Sequence, residues 1–127
     1  MAELFLDWRV RADATGAEFD SNKADAIEEL SWTQVTPGYA TVYQTFSTTE
    51  ADVTFPSDIT GNGLVIIINL DATNDFNWGV KDTTMKQAGV CSGGNYIPAI
   101  FEMLGTATLR GAASAGSVNV MIHRFMV

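Results

Sequence analysis

The sequence predicts a single mainly-β domain, an antiparallel β-sandwich of jelly-roll or immunoglobulin-like type with at most one short helix. Three observations predict it. Thr, Val, Ile, Phe, Tyr and Trp recur in short runs punctuated by Gly, Asn, Asp, Ser and Pro, the spacing of strands and turns. A chain of 127 residues is the length of one domain, yet it holds about eight or nine such runs, as antiparallel sandwiches do. The longest apolar run, Leu64 to Ile68, is strand-sized and far short of the roughly 20 residues that cross a bilayer.

The elements follow in order. Leu4, Leu6, Trp8 and Val10 share one face if Met1 to Ala12 is a strand, with Phe5 opposite; the same segment suits an arm that docks elsewhere. Residues 1–20 are therefore expected to form an N-terminal strand or docking arm and residues 21–127 the sandwich. Asp13 to Asn22 reads as a loop around Thr15-Gly16. Lys23 to Leu30 reads as the one short helix, capped by Ser21 or Asn22. Trp32 to Val35 is a strand ended by Thr36-Pro37-Gly38, where Pro presets a turn. Tyr39 to Phe46 alternates, and Val53 to Phe55 is a further short strand closed by Pro56.

Leu64 to Leu70 is apolar on both pleat faces, as expected of a strand in the middle of a sheet covered on both sides. Asp71 to Asp75 turns the chain into Phe76 to Val80. Tyr96 to Leu104 and Thr106 to Arg110 follow as strands, Gly111 to Ser117 as a small-residue loop, and Val118 to Val127 as the closing strand.

The net charge of −8 has the wrong sign for wrapping phosphate backbones, which argues against nucleic-acid binding. The excess acid lies in residues 1–63 and suits a solvated face or a surface complementary to a basic partner. The single cysteine, Cys91, excludes an intramolecular disulfide and a thiolate metal cluster within one chain. Residues 1–10 lack the basic-then-apolar order of a secretory signal, so no membrane association is expected.

No catalytic signature emerges. The one histidine, His123, lies in the closing strand and reads as structural or surface. Cys91-Ser92-Gly93-Gly94 reads as a flexible hairpin loop in preference to a nucleophile, because no base lies near it in sequence. Asp71, Asn74 and Asp75 offer hard oxygens to calcium, but Asp and Asn are also what a turn after a buried strand prefers. Trp32, Trp78, Tyr39, Tyr43 and Tyr96 suit core packing more than a sugar-stacking platform. No catalytic residue, metal ligand or cofactor is assigned.

The segment Gly63 to Val80, with its buried strand running into Asn69-Leu70-Asp71-Ala72-Thr73-Asn74, resembles small accessory virion proteins of tailed bacteriophages. Tyr96 to Phe101 and the Ala- and Gly-rich C-terminal strand pair extend the likeness over residues 53–127, with Leu104-Gly105 standing where that pattern has Pro-Gly. The resemblance implies a non-enzymatic structural role on the particle, foremost as a capsid decoration or cement protein that stabilises the head. It implies the major capsid protein or other virion proteins as partners and a homo-oligomer, a trimer favoured. It also implies a place on the virion, at the capsid surface, after assembly in the host cytoplasm. Alternatives in the same setting are a receptor- or glycan-binding module and a neck or tail accessory protein. Leu4, Phe5, Leu6 and Trp8 form a concentrated apolar patch beside an acidic loop and are the expected interface residues.

Overall fold

The computed structural model describes residues 2–7, 11–14, 17–20, 29–34 and 38–126. All regular secondary structure among them is β. The chain divides into two compact units, Met1–Val35 and Thr36–Val127.

In the first unit, β1 (Ala2–Asp7) pairs antiparallel with β4 (Glu29–Gln34), and β2 (Arg11–Ala14) pairs antiparallel with β3 (Ala17–Asp20). The second pair occupies most of the segment expected as a loop. Ala14 and Ala17 are register partners with only Thr15 and Gly16 between them, the spacing of a tight hairpin. The expected helix is corrected at its end: Glu29 and Leu30 begin β4 and pair with Asp7 and Leu6. Strand pairing of the β-prone run Leu30 to Thr33 outweighs the weak helix preference of the preceding residues. The rest of that helix, Lys23 to Glu28, lies outside the described residues, as do its caps Ser21 and Asn22 and the Thr36-Pro37 turn.

The second unit holds eight strands: β5 (Tyr39–Ser47), β6 (Ala51–Asp52), β7 (Gly63–Asn69), β8 (Phe76–Lys81), β9 (Met85–Cys91), β10 (Ala99–Met103), β11 (Leu109–Ala113) and β12 (Ser117–Met126). They form two four-stranded antiparallel sheets with orders β10-β7-β12-β5 and β6-β11-β8-β9. The pairs are nested: β8 with β9, β7 with β10, β6 with β11 and β5 with β12. The unit is thus one long antiparallel ribbon, its tip at β8–β9, wound into two facing sheets. That is the jelly-roll arrangement, one of the two topologies the sequence left open.

The core lies between the sheets. Phe46, Val65, Ile67, Phe76, Leu109, Val118, Val120 and Ile122 are fully buried, and the Phe46 and Phe76 rings meet across the interior at 4.7 Å between centroids. Fully burying side chains of this size stabilises the fold by about 1.5–3 kcal/mol each. Gly111 in β11 is part of the same packing, because a Cβ there would overlap the Phe76 ring. Gly111 to Ala113 were expected in a loop; their small side chains instead let β11 pass close to that ring as a strand, and the turn shrinks to Ser114–Gly116. Gly116 there takes φ +58°, a conformation open to glycine.

Other boundaries shift for readable reasons. Val53 to Phe55 lie past the short β6, although Val53 N–H still donates to Leu109 O at 2.8 Å. Regular pairing of β10 starts at Ala99, just after Pro98, which has no N–H to give a ladder. The stretch from Lys81 to Asn95 contains β9, a strand whose Lys, Gln, Ala and Gly residues carry little hydrophobic signal. Strand β7 is central, between β10 and β12, but fully covered on one face only: Val65 and Ile67 are inaccessible, while on the other face Leu64 is buried and Ile66 and Ile68 are half-buried.

Candidate functional site

The residues with latent chemistry are held apart. Cys91 is 2% exposed on the interior side of β9, its Sγ directed at Ile67 O, and burial pushes its thiol pKa up, away from the reactive thiolate. His123 lies on the outward side of β12, so a four-stranded sheet separates the two. Its Nδ1 is 2.9 Å from Thr41 Oγ1, which is also in contact with Tyr39 Oη, and Tyr39 stacks on Phe125 at 4.7 Å.

The turn after β7 is knotted by its own side chains. Asp71 Oδ1 accepts the N–H groups of Asn74 (2.6 Å) and Thr73 (2.8 Å), which together hold its carboxyl below the ordinary value. Asp75 Oδ1 accepts Gly93 N–H at 2.9 Å, and Gly94 N–H donates to Asp71 O. Gly93-Gly94 is therefore a crossover between sheets, clamped onto this turn, and not a hairpin loop. Turn chemistry engages both carboxylates, and no cluster of three His, Cys, Asp or Glu able to hold a metal occurs among the described residues.

Beneath the turn is Asn69, a residue the sequence reading passed over. It is 1% exposed; its Nδ2 donates to Asn74 O (2.8 Å) and Cys91 O (2.9 Å), and its Oδ1 accepts Asp71 N–H (3.0 Å). The break in the apolar run, an amide following five apolar residues, was its one visible sign. A second buried polar group, Arg124, is 4% exposed, donates to Gly61 O at 2.6 Å and lies over the Phe55 ring at 4.8 Å. Burial lowers its pKa, and no carboxylate partners it among the described residues.

The two outward sheet faces differ in kind. On β6-β11-β8-β9, Arg110 bonds Asp52 (2.6 Å) and Glu50 (2.9 Å), and Lys81 reaches Asp52 at 3.4 Å. The Arg110 guanidinium holds the Asp52 carboxyl below its ordinary value. Such exposed pairs contribute little stability but make a face suited to water. On β10-β7-β12-β5, the register sets out Ile68, Met121 and Tyr43 across one row, and Ile100 and Ile66 followed by the polar His123 and Thr41 across the next. Tyr43 is 71% exposed, and Leu70 and Ile100 are also open. Glu102 is the one carboxylate on this face among the described residues.

At the β10 edge the face runs into a cleft of about 400 Å³ lined by Trp78, Val80, Phe101, Met103, Leu104 and Ala107. Trp78 and Phe101 stack at 4.5 Å and 3° to form its wall. The indole lies so close over Gly89 that a Cβ there would sit 2.7 Å from it. Of the five aromatic residues weighed as a platform, Trp78 is thus packed into this wall. Tyr39 and Tyr43 stand exposed on β5, Tyr96 is exposed in the crossover, and Trp32 pairs through its backbone in β4.

Among the expected interface residues, Leu4, Phe5 and Leu6 lie in β1, register-paired with Trp32, Ser31 and Leu30. Trp8 lies outside the described residues. No helix among the described residues is long and apolar enough to cross a membrane. No protein-family model and no curated protein matches the sequence.

Proposed function

We propose that the chain is a non-enzymatic structural protein of a tailed-phage virion, a capsid decoration or cement protein that works as a homo-oligomer, a trimer favoured, on a lattice of the major capsid protein. The observation that carries the reading is the jelly roll itself, an architecture used in viral capsid and lectin domains. Around it the side chains with latent chemistry are committed to structure: the thiol is interior, the paired acids are bound by Arg110 and the turn acids by backbone N–H groups. The likeness of the turn after β7 to small virion proteins supports the setting. Several linked copies on a lattice raise apparent affinity by roughly 10² to 10⁴ without new types of contact.

A second reading, a receptor- or glycan-binding module of the virion, is favoured by one observation. Tyr39 and Tyr43 are both exposed on the same face of β5 and present two rings.

The test is mass spectrometry and antibody labelling of tailed-phage particles purified from the source organism. The chain is expected at fixed stoichiometry on the heads; its absence from purified particles refutes the proposal, and labelling confined to tail tips moves it to the second reading. Deleting residues 1–12, which include Leu4, Phe5, Leu6 and Trp8, is expected to abolish head binding. No turnover on glycans or peptides is expected, and turnover lost on one Asp→Asn or Glu→Gln change overturns the non-enzymatic reading.

A further inference from the structure

We infer that the outward face of the β10-β7-β12-β5 sheet is the surface through which copies of this chain associate with one another. An antiparallel sandwich standing alone alternates apolar-in with polar-out along its strands. The β6-β11-β8-β9 sheet follows this for the most part, with Arg110, Asp52 and Lys81 outward and Val90 at its β9 edge an exposed exception. Strand β7 does not: its outward Ile66 and Ile68 are only half-buried, and Leu70, which follows, is exposed. Across the sheet, Ile68, Met121 and Tyr43 form one continuous row, with Ile100 beside Ile66 in the next.

Charge identifies the occupant as a second copy. The chain carries −8, so most ways of bringing two copies together oppose acid to acid. On this face Glu102 is the one carboxylate among the described residues, at the edge strand, and His123 is bonded to Thr41. Two copies can therefore close on its centre without burying like charges, whereas a basic partner would find only Glu102, at the edge, to pair with. An exposed Tyr43 beside a half-buried Met121 among aliphatic side chains is also the composition of interface centres.

The area suffices. Four strands about 4.8 Å apart and roughly eight residues long cover about 500 Å². Two copies then bury about 1,000 Å² in total, the lower bound for a specific contact. Beyond Ile100 and Glu102, Leu104 is 66% exposed at the rim of the cleft and adds apolar surface. This inference deepens the homo-oligomer part of the proposed function and does not depend on the virion.

The experiment is sedimentation velocity on the full chain from about 1 to 100 µM, with three single-site variants checked for a native circular-dichroism spectrum. Tyr43→Glu changes the most exposed ring of the face, Ile68→Glu changes its centre, and Gln87→Glu adds the same charge on exposed β9 of the other sheet. The wild type is expected to be oligomeric, Tyr43→Glu and Ile68→Glu to weaken association at least tenfold, and Gln87→Glu to leave it unchanged. A monomeric wild type over the whole range overturns the inference, including the case in which another part of the same chain covers the face. Association unaltered in a folded Tyr43→Glu protein also overturns it, as does equal weakening by Gln87→Glu. Oligomers that meet these expectations but are absent from virions support this inference and refute the virion reading; a monomer found on virions does the reverse.

Discussion

Replacing Asn69 by Ala should be among the most damaging single changes outside the apolar core. The substitution removes three hydrogen bonds at once and leaves Cys91 O, Asn74 O and Asp71 N–H without their partner. The Cys91 carbonyl is the interior one, and stranding a buried polar group costs about 1–3 kcal/mol. The other two lie nearer the surface, where water substitutes in part, so each adds about 0.5–1.5 kcal/mol. The expected loss is about 2–6 kcal/mol, read from urea denaturation at constant m-value. Thr45→Ala, which removes the exposed 2.6 Å bond to Asn119, is the control and should cost under about 0.5 kcal/mol. Because Asn69 links β7, the following turn and the end of β9, hydrogen exchange at Asp71 N–H should accelerate in the variant. A loss below about 1 kcal/mol with unchanged protection of Asp71 would show that the turn holds by its own carboxylates, and would refute the reasoning.

Further outcomes are open to the same measurements. Ile67→Ala, at a wholly inaccessible position in the centre of β7, should cost about 2–5 kcal/mol through lost burial and a cavity; a loss under about 0.5 kcal/mol would contradict the sandwich core. Arg124→Met should be neutral or stabilising, by up to about 1–4 kcal/mol, because it removes a buried cation without a carboxylate partner and keeps the packing over Phe55. A marked loss on urea denaturation would instead reveal the Gly61 hydrogen bond as dominant. For Asp71, the folded pKa lies below the unfolded one. Its contribution is therefore complete above the unfolded value and lost as pH falls through the folded value. Thermal melts below about pH 4 should decline less steeply in Asp71→Asn, which keeps an acceptor oxygen but does not titrate; identical slopes would contradict this.

Much of the sandwich was legible because strands with an alternating or continuous apolar pattern declare themselves. Tyr39–Ser47, Gly63–Asn69 and Ser117–Met126 carry Val, Ile, Phe and Tyr at the right period and lie within a residue or so of expectation. Strand β9 was missed because Lys86, Gln87, Ala88 and Gly89 are not β-formers; pairing with β8 holds them there. Gly111 to Ala113 were read as loop because the sequence does not reveal that Phe76 needs small neighbours. The five apolar residues of β7 were read as buried on both sides, since hydrophobicity reports the need for cover without saying whether the cover lies within the same molecule. The structural roles of Asn69, marked only by the break in the apolar run, and of Arg124 were not legible for a related reason: a polar side chain becomes structural through partners distant in sequence, Cys91 for one and Phe55 for the other.

The nested ribbon also fixes an order of events in folding. Pairing β5 with β12 directly would close a loop of most of the unit, whereas pairing β8 with β9 first closes a short one. Each later pair then adds only the small loop beyond the last, so the entropic cost is met in steps as the ribbon zips from its tip. Substitutions that weaken β8–β9 should slow refolding, while those in the β5–β12 seam should chiefly speed unfolding. The strands that close last are the ones carrying Tyr43 and Met121, so the apolar outer face is completed only when the chain is otherwise folded. On the association inferred above, contact between copies through this face would require the finished sheet.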